Sequence, residues 1–176
     1  MKEPIVTVAF GNIAQKKTDA LITAINSGGM WFGGIDGVIQ GVAGNAFHAQ
    51  AAKAMPLKHG QAIVANGKGV AHGGSFSNVI FVVDDLKGPL REIVNNGLEA
   101  AANAGFKSVT LPTIRMGVML GVVEPNAEAA VKEMAIGVSS FVAKNPQTSI
   151  KEITFVVYND QKLQNLLRTT LNDFIH

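Results

Sequence analysis

Two stretches of this chain combine polar side chains with glycines in a way that suits an anionic ligand. The first runs Asn26-Ser27-Gly28-Gly29 and, after three bulky side chains, continues Gly33-Gly34-Ile35-Asp36. Its strongly polar side chains facing the gap are Asn26 and Asp36. The second, Thr113-Ile114-Arg115-Met116-Gly117-Val118-Met119-Leu120-Gly121, carries two more glycines and one cation. Glycine lets backbone approach a ligand closely, and N–H groups at a helix start point at anions. A diphosphate fits the first of these loops. A plainer account is open for each: Asn26 closing a sheet end, Asp36 stabilising a helix start, and Gly117 and Gly121 permitting turns. Trp31, Phe32, Met116 and Met119 either pack locally or wall a pocket beside the glycine loops.

The elements around these loops set where they sit. Leu21–Ile25 is an apolar, β-branched run of the length of a buried strand, and Ile35, Val38, Ile39 and Val42 recur on one helix face. So the first loop joins a strand to a helix. Pro4–Phe10 reads as a strand closed by Gly11-Asn12. Asn45–Met55 reads as a second helical piece ended by Pro56. Gly60–Ala65 and Asn78–Val83 read as strands forming a hairpin-like pair across a glycine-rich turn. Pro89 opens a helix that Gly105 stops, with Leu90, Ile93, Val94, Gly97, Leu98 and Ala101 inward. Ser108–Leu111 is a short strand running into the second loop. A helix from Pro125 turns Ala127, Ala130, Val131, Met134, Val138, Phe141 and Val142 inward. Lys151–Tyr158 is the last strand, and Leu163, Leu166, Leu167, Leu171 and Phe174 mark a C-terminal helix.

Strands alternating with helices predict an α/β fold: a three-layer α/β/α sandwich with a mixed, largely parallel central sheet, formed by residues 1–176 as one domain. Ligands of such sheets bind at the carboxyl ends of the strands. That places Gly11-Asn12, Asn26 to Asp36 and Thr113 to Gly121 at one edge.

Composition narrows the function classes. A net charge of +2 with no basic run gives no reason to expect nucleic acid or a membrane surface as main partner. The absence of cysteine removes disulfides, thiolate nucleophiles and cysteine-based zinc sites. His48, His59, His72 and His176 lack paired ligand spacing, so neither a metal nor another cofactor is expected. Gly67-Lys68-Gly69 lacks the spacing of a phosphate loop and reads as a turn, and no GxSxG elbow supports a serine hydrolase. No stretch reaches the ~20 apolar residues of a membrane helix. The cytosol is the expected location.

Taken together, these residues resemble the macro domain family of ADP-ribose-binding modules and ADP-ribosyl hydrolases, over nearly the whole chain. Gly11-Asn12-Ile13 resembles the family's Gly-Asp-Ile. Thr18-Asp19-Ala20-Leu21-Ile22-Thr23-Ala24-Ile25-Asn26 and Gly33-Gly34-Ile35-Asp36-Gly37-Val38-Ile39 resemble its second strand and following loop. Leu111-Pro112-Thr113-Ile114-Arg115-Met116-Gly117 resembles its late phosphate loop, and Phe155-Val156-Val157-Tyr158-Asn159 its final strand.

The resemblance implies roles. Asn12 and Ile13 would meet the adenine edge, and Tyr158 would stack on the ring. Asn26 would hold the distal ribose, with Asp36 beside it polarising a ribose hydroxyl or a water. Gly33, Gly34, Ile35, Gly117 and Val118 would lie against the diphosphate, with Arg115 and Met116 alongside, and Met119 or Leu120 would cover the distal ribose. The expected partner is ADP-ribose or an ADP-ribosylated substrate. The activity implied is hydrolysis of an ADP-ribosyl linkage or of ADP-ribose 1''-phosphate, with a non-catalytic binding module as the alternative. Three departures stand out. Asn12 replaces an aspartate, Trp31-Phe32 replaces two glycines, and Arg115-Met116 replaces a Ser-Thr pair.

Overall fold

In a computed structural model, which describes residues 3–28, 35–116 and 120–175, five of the six strands run parallel and so end at the same edge. In chain order the strands are β1 (Ile5–Phe10), β2 (Thr18–Ile25), β3 (Ala62–Ala65), β4 (Phe76–Val83), β5 (Ser108–Leu111) and β6 (Glu152–Val157). The helices are α1 (Ile35–Ala43), α2 (His48–Ala54), α3 (Leu90–Asn103), α4 (Ala127–Lys144) and α5 (Gln161–Ile175). The sheet order is β1-β6-β5-β2-β4-β3, with β3 alone antiparallel, against β4. This is the expected three-layer sandwich.

Period-two alternation sorts the sheet into two cores. On β2, Ala20, Ile22 and Ala24 face α3, α4 and α5 together with Ile80, Val82, Val109, Ile153 and Phe155. Leu21 and Ile25 face the other way and pack with Ile39 of α1, Phe47 and Ala51 beside and on α2, and Val79 and Phe81 of β4. Helix α1 therefore covers one sheet face, with its first turn at the carboxyl edge.

Several boundaries differ from the sequence reading for identifiable reasons. Strand β2 begins at Thr18, three residues before the apolar run, because Asp19 is useful there: its carboxylate accepts the Lys107 N–H at 2.8 Å and pins the start of β5. Pro89 precedes α3 as its N-cap, and α4 starts at Ala127, where the Asn126 side chain accepts the Ala129 N–H at 2.9 Å. The connection after Asn12 contains a single 3-10 turn, Ile13–Gln15.

Helices α3 and α4 approach closely because Gly137 has no side chain. A Cβ there would lie 2.8 Å from the Arg91 carbonyl oxygen and 2.9 Å from Val94 Cβ. Backbone cannot step aside as a flexible side chain can. Gly137→Ala is therefore expected to lower stability by about 1–3 kcal/mol, seen as a melting temperature several degrees below that of the unsubstituted chain.

Candidate functional site

At the carboxyl edge, the residues following β1, β5 and β6 surround a cleft of about 550 Å³. Gly11, Asn12 and Ile13 follow β1, Pro112 and Thr113 follow β5, and Tyr158 and Asp160 follow β6; Ile35 and Val38 of α1 complete one wall. The size lies within the roughly 300–1,000 Å³ of small-molecule sites. Most of the wall is apolar, and Tyr158 at its rim is 77% exposed. Asn12 side-chain Oδ1 accepts the Ala14 N–H at 3.0 Å, capping the 3-10 turn. Of the residues read from the sequence as ligand contacts, Asn12, Ile13, Ile35 and Tyr158 are thus brought to one cavity.

Asp36 lies one residue beyond Ile35, in the first turn of α1, and is only 2% exposed. His48 Nε2 is 3.0 Å from its Oδ1. A carboxylate accepts, so the imidazole carries its proton on Nε2 and points it at Asp36. No motif in the chain points to this partner. His48 is on a different helix, 12 residues away, with no motif linking the two. Its ring also packs on Phe81, centroids 4.7 Å apart. Asn26 follows β2, where its Oδ1 accepts the Gly28 N–H at 3.1 Å.

Arg115 is the main correction to the sequence reading. Rather than facing a diphosphate, its guanidinium is buried between two carboxylates. Nε and Nη2 donate to Asp84 Oδ2 and Oδ1 at 2.9 and 2.8 Å, and Nη1 donates to Glu124 Oε1 at 3.0 Å. Glu124 Oε2 also accepts the Leu90 N–H at 3.0 Å, so it caps α3 from a distant loop. Burial alone would weaken the arginine's charge. The hydrogen bonds to Asp84 and then Glu124 outweigh it and push the guanidinium above its ordinary range. Arg115 adopts φ +61°, the left-handed region that costs an arginine about 1–2 kcal/mol, and the forked pairing holds it there. Met116 and Leu120 are partly buried against the main core. Trp31, Phe32, Gly33, Gly34, Gly117, Val118 and Met119 lie outside the described residues.

Ser27, which follows Asn26 after β2, is held separately. The Ser27 N–H donates to Asp85 Oδ1 at 2.8 Å, and the Asp85 N–H donates to His59 Nδ1 at 2.9 Å. Burial acts to raise the Asp85 carboxyl, but hydrogen bonds from Ser27, with Lys87 and His59 nearby, outweigh that and hold it below its usual 3.8.

The fold and the cleft at the sheet's carboxyl edge together define a ligand-binding α/β domain, and comparison with known proteins makes the class specific. The Macro domain family model matches residues 22–130, and the chain belongs to that family. Among its relatives is an O-acetyl-ADP-ribose deacetylase of Escherichia fergusonii, 29% identical, with 96% of this chain and 97% of that protein aligned. A macro domain-containing protein of Streptomyces coelicolor is 27% identical over 88% of this chain and 91% of its own. A Trypanosoma brucei macrodomain solved in complex with ADP-ribose superposes with a TM-score of 0.78 at 18% identity, over 93% of this chain and 68% of that one. An Oceanobacillus iheyensis macrodomain mutant solved with ADPR gives 0.73 at 19% identity, over 98% and 95%.

Two outcomes follow from the two anchors. Arg115→Met strands two buried carboxylates and is expected to cost about 3–5 kcal/mol in denaturant unfolding. Arg115→Lys keeps the charge but not the fork, so its loss falls between those of Met and arginine. For Asp85 the folded value is depressed, so its stabilisation is complete above pH 3.8 and is lost as pH falls through the lower folded value. Asp85→Asn should therefore melt slightly below the unsubstituted chain at neutral pH, by no more than about 1 kcal/mol, with the gap closing in acid.

Proposed function

We propose that this chain binds ADP-ribose or a closely related nucleotide in the carboxyl-edge cleft and hydrolyses an ADP-ribosyl linkage or ADP-ribose 1''-phosphate. The observation that carries the reading is Asp36: a carboxylate on the first turn of α1, adjacent in sequence to cleft-lining Ile35 and given a hydrogen-bond donor by His48. In the proposed mechanism the carboxylate polarises a ribose hydroxyl or a water, Asn26 holds the distal ribose, and the glycine loops hold the diphosphate. Tyr158 stacks on the base. Most of the rate then comes from orientation and electrostatics, because no side chain here is offered as a covalent nucleophile. The deacetylase of Escherichia fergusonii, aligned over almost its full length, supports the hydrolytic reading. The cytosolic location and the reading of residues 1–176 as one unit are parts of the same proposal.

One observation favours the second reading, a non-catalytic binding module. Asp36 is 2% exposed and hydrogen-bonded to His48, an arrangement that also suits a purely structural carboxylate.

Calorimetric titration with ADP-ribose, beside AMP and ADP, tests the binding. Micromolar affinity that needs the distal ribose is expected. Release of ADP-ribose from O-acetyl-ADP-ribose and from ADP-ribosylated protein tests the chemistry. Asp36→Ala should cut turnover by roughly 100-fold or more while changing affinity only a few-fold. Binding without release from any such substrate by the unsubstituted chain would establish the module instead. A folded protein that binds none of the three nucleotides would remove both readings.

A further inference from the structure

Asn26 is bracketed by the turn that follows β4. The Asp84 N–H donates to the carbonyl of Ile25, the residue before it, at 2.7 Å. Asp85 Oδ1 accepts the N–H of Ser27, the residue after it, at 2.8 Å. Where Asn26 stands therefore depends on where Asp84 and Asp85 stand. Asp84 is clamped by the Arg115 fork. Asp85 is held otherwise: its backbone N–H donates to Nδ1 of His59 at 2.9 Å.

A backbone N–H only donates, so Nδ1 carries a lone pair, and the ring held in this way is neutral with its proton on Nε2. Nε2 is buried and meets no hydrogen-bond partner among the described residues. The charged groups around the ring are Asp84, itself paired with Arg115, and Asp85 and Lys87 on the same turn. Lys58 precedes it in the chain, and Glu92 of α3 lies across Gly88 from it.

An imidazolium cannot keep the bond to Asp85. Its second proton goes on Nδ1 and sets one N–H against another. The carboxylate open to the new donor is that of Asp84, whose Oδ1 is 4.0 Å away and already accepts from Arg115 and from the Leu86 N–H. Closing that gap draws the ring away from the Asp85 N–H. Leu86 works in the same direction, since it holds φ +59°, a left-handed conformation unfavourable for leucine. Loss of the His59 bond frees a strained turn to relax.

We infer that His59 is a pH-responsive positioning residue, which holds Asp85, and through it the Asn26 segment, when neutral and lets go when protonated. The inference rests on the reading that Asn26 holds the distal ribose of a nucleotide. Imidazoles ordinarily change charge between about pH 5 and 8, so binding weakens on the acid side of that range. The Asp85 carboxyl does not titrate there. Burial acts to raise it, but the hydrogen bonds from Ser27 outweigh that and hold it below its usual 3.8.

The first test is a nuclear magnetic resonance titration of the ligand-free, unsubstituted chain from pH 8 to 5.5. The Ser27 and Asp85 amide signals are expected to move together with the His59 ring signals, with one shared midpoint. A ring that does not titrate, or amides that stay still while it does, overturns the inference. Asparagine carries an acceptor oxygen at the same remove from the backbone as Nδ1 and takes no proton. In His59→Asn, with its fold checked by melting temperature, the two amides are expected to stay fixed across the range, and movement overturns the inference. The second test is calorimetric titration with ADP-ribose, whose diphosphate does not change charge in this range. The unsubstituted chain is expected to bind roughly three- to tenfold more weakly at pH 5.5 than at 7.5, the scale of one hydrogen bond, and His59→Asn equally at both. Equal affinity of the unsubstituted chain at both pH values overturns the positioning role and leaves the nucleotide reading intact. Failure of the folded chain to bind at either pH removes the nucleotide reading and this inference with it.

Discussion

The interaction on which the functional edge depends is the buried pairing of Arg115 with Asp84 and Glu124. Three charges have been taken out of water there, which costs several kcal/mol per ion before any attraction is counted. What repays it is geometry. The guanidinium fork meets both oxygens of Asp84 with near-parallel bonds and turns its remaining arm to Glu124. Asp84 follows directly after β4, Arg115 lies in the loop after β5, and Glu124 reaches the first N–H of α3. One guanidinium thus ties two parallel strand ends and a helix start into a single unit. Arg115 anchors the loop after β5 to the end of β4 and the start of α3.

This changes the electrostatic picture of the site. An exposed arginine in a phosphate loop would add a positive field at the cleft. Here the charge is neutralised by two carboxylates, and the group of three carries a net negative charge. Arg115 therefore adds no unpaired positive charge to this edge.

Fold and site were not equally legible in the sequence. Strand and helix identities follow from apolar periodicity, a local property: alternate residues of β2 serve two different cores, and the α3 and α4 patterns name their buried faces correctly. Where strands ran longer than the apolar pattern, a polar residue had found a tertiary use, as Asp19 does at the start of β5. The cleft's edge was legible too, since Asn12, Ile13 and Tyr158 sit immediately after strands whose direction fixes their edge. The partners of the charged residues were not. Asp84 and Arg115 are 31 positions apart, and the His48–Asp36 pair joins two helices with no repeat relating them. Pairing at a distance is set by the fold, and a lone arginine in a glycine loop reads as a surface cation until its carboxylates are seen.

The two buried acids that matter most, Asp36 and Asp84, solve the same problem by different means. Asp84 meets a permanent cation whose fork engages both of its oxygens. Asp36 meets an imidazole through one ring nitrogen, 3.0 Å from its Oδ1. The arginine-paired acid ties two strand ends and a helix start together. The histidine-paired acid stands on the first turn of the helix whose Ile35 and Val38 wall the cleft, the place where the proposed hydrolysis needs a carboxylate.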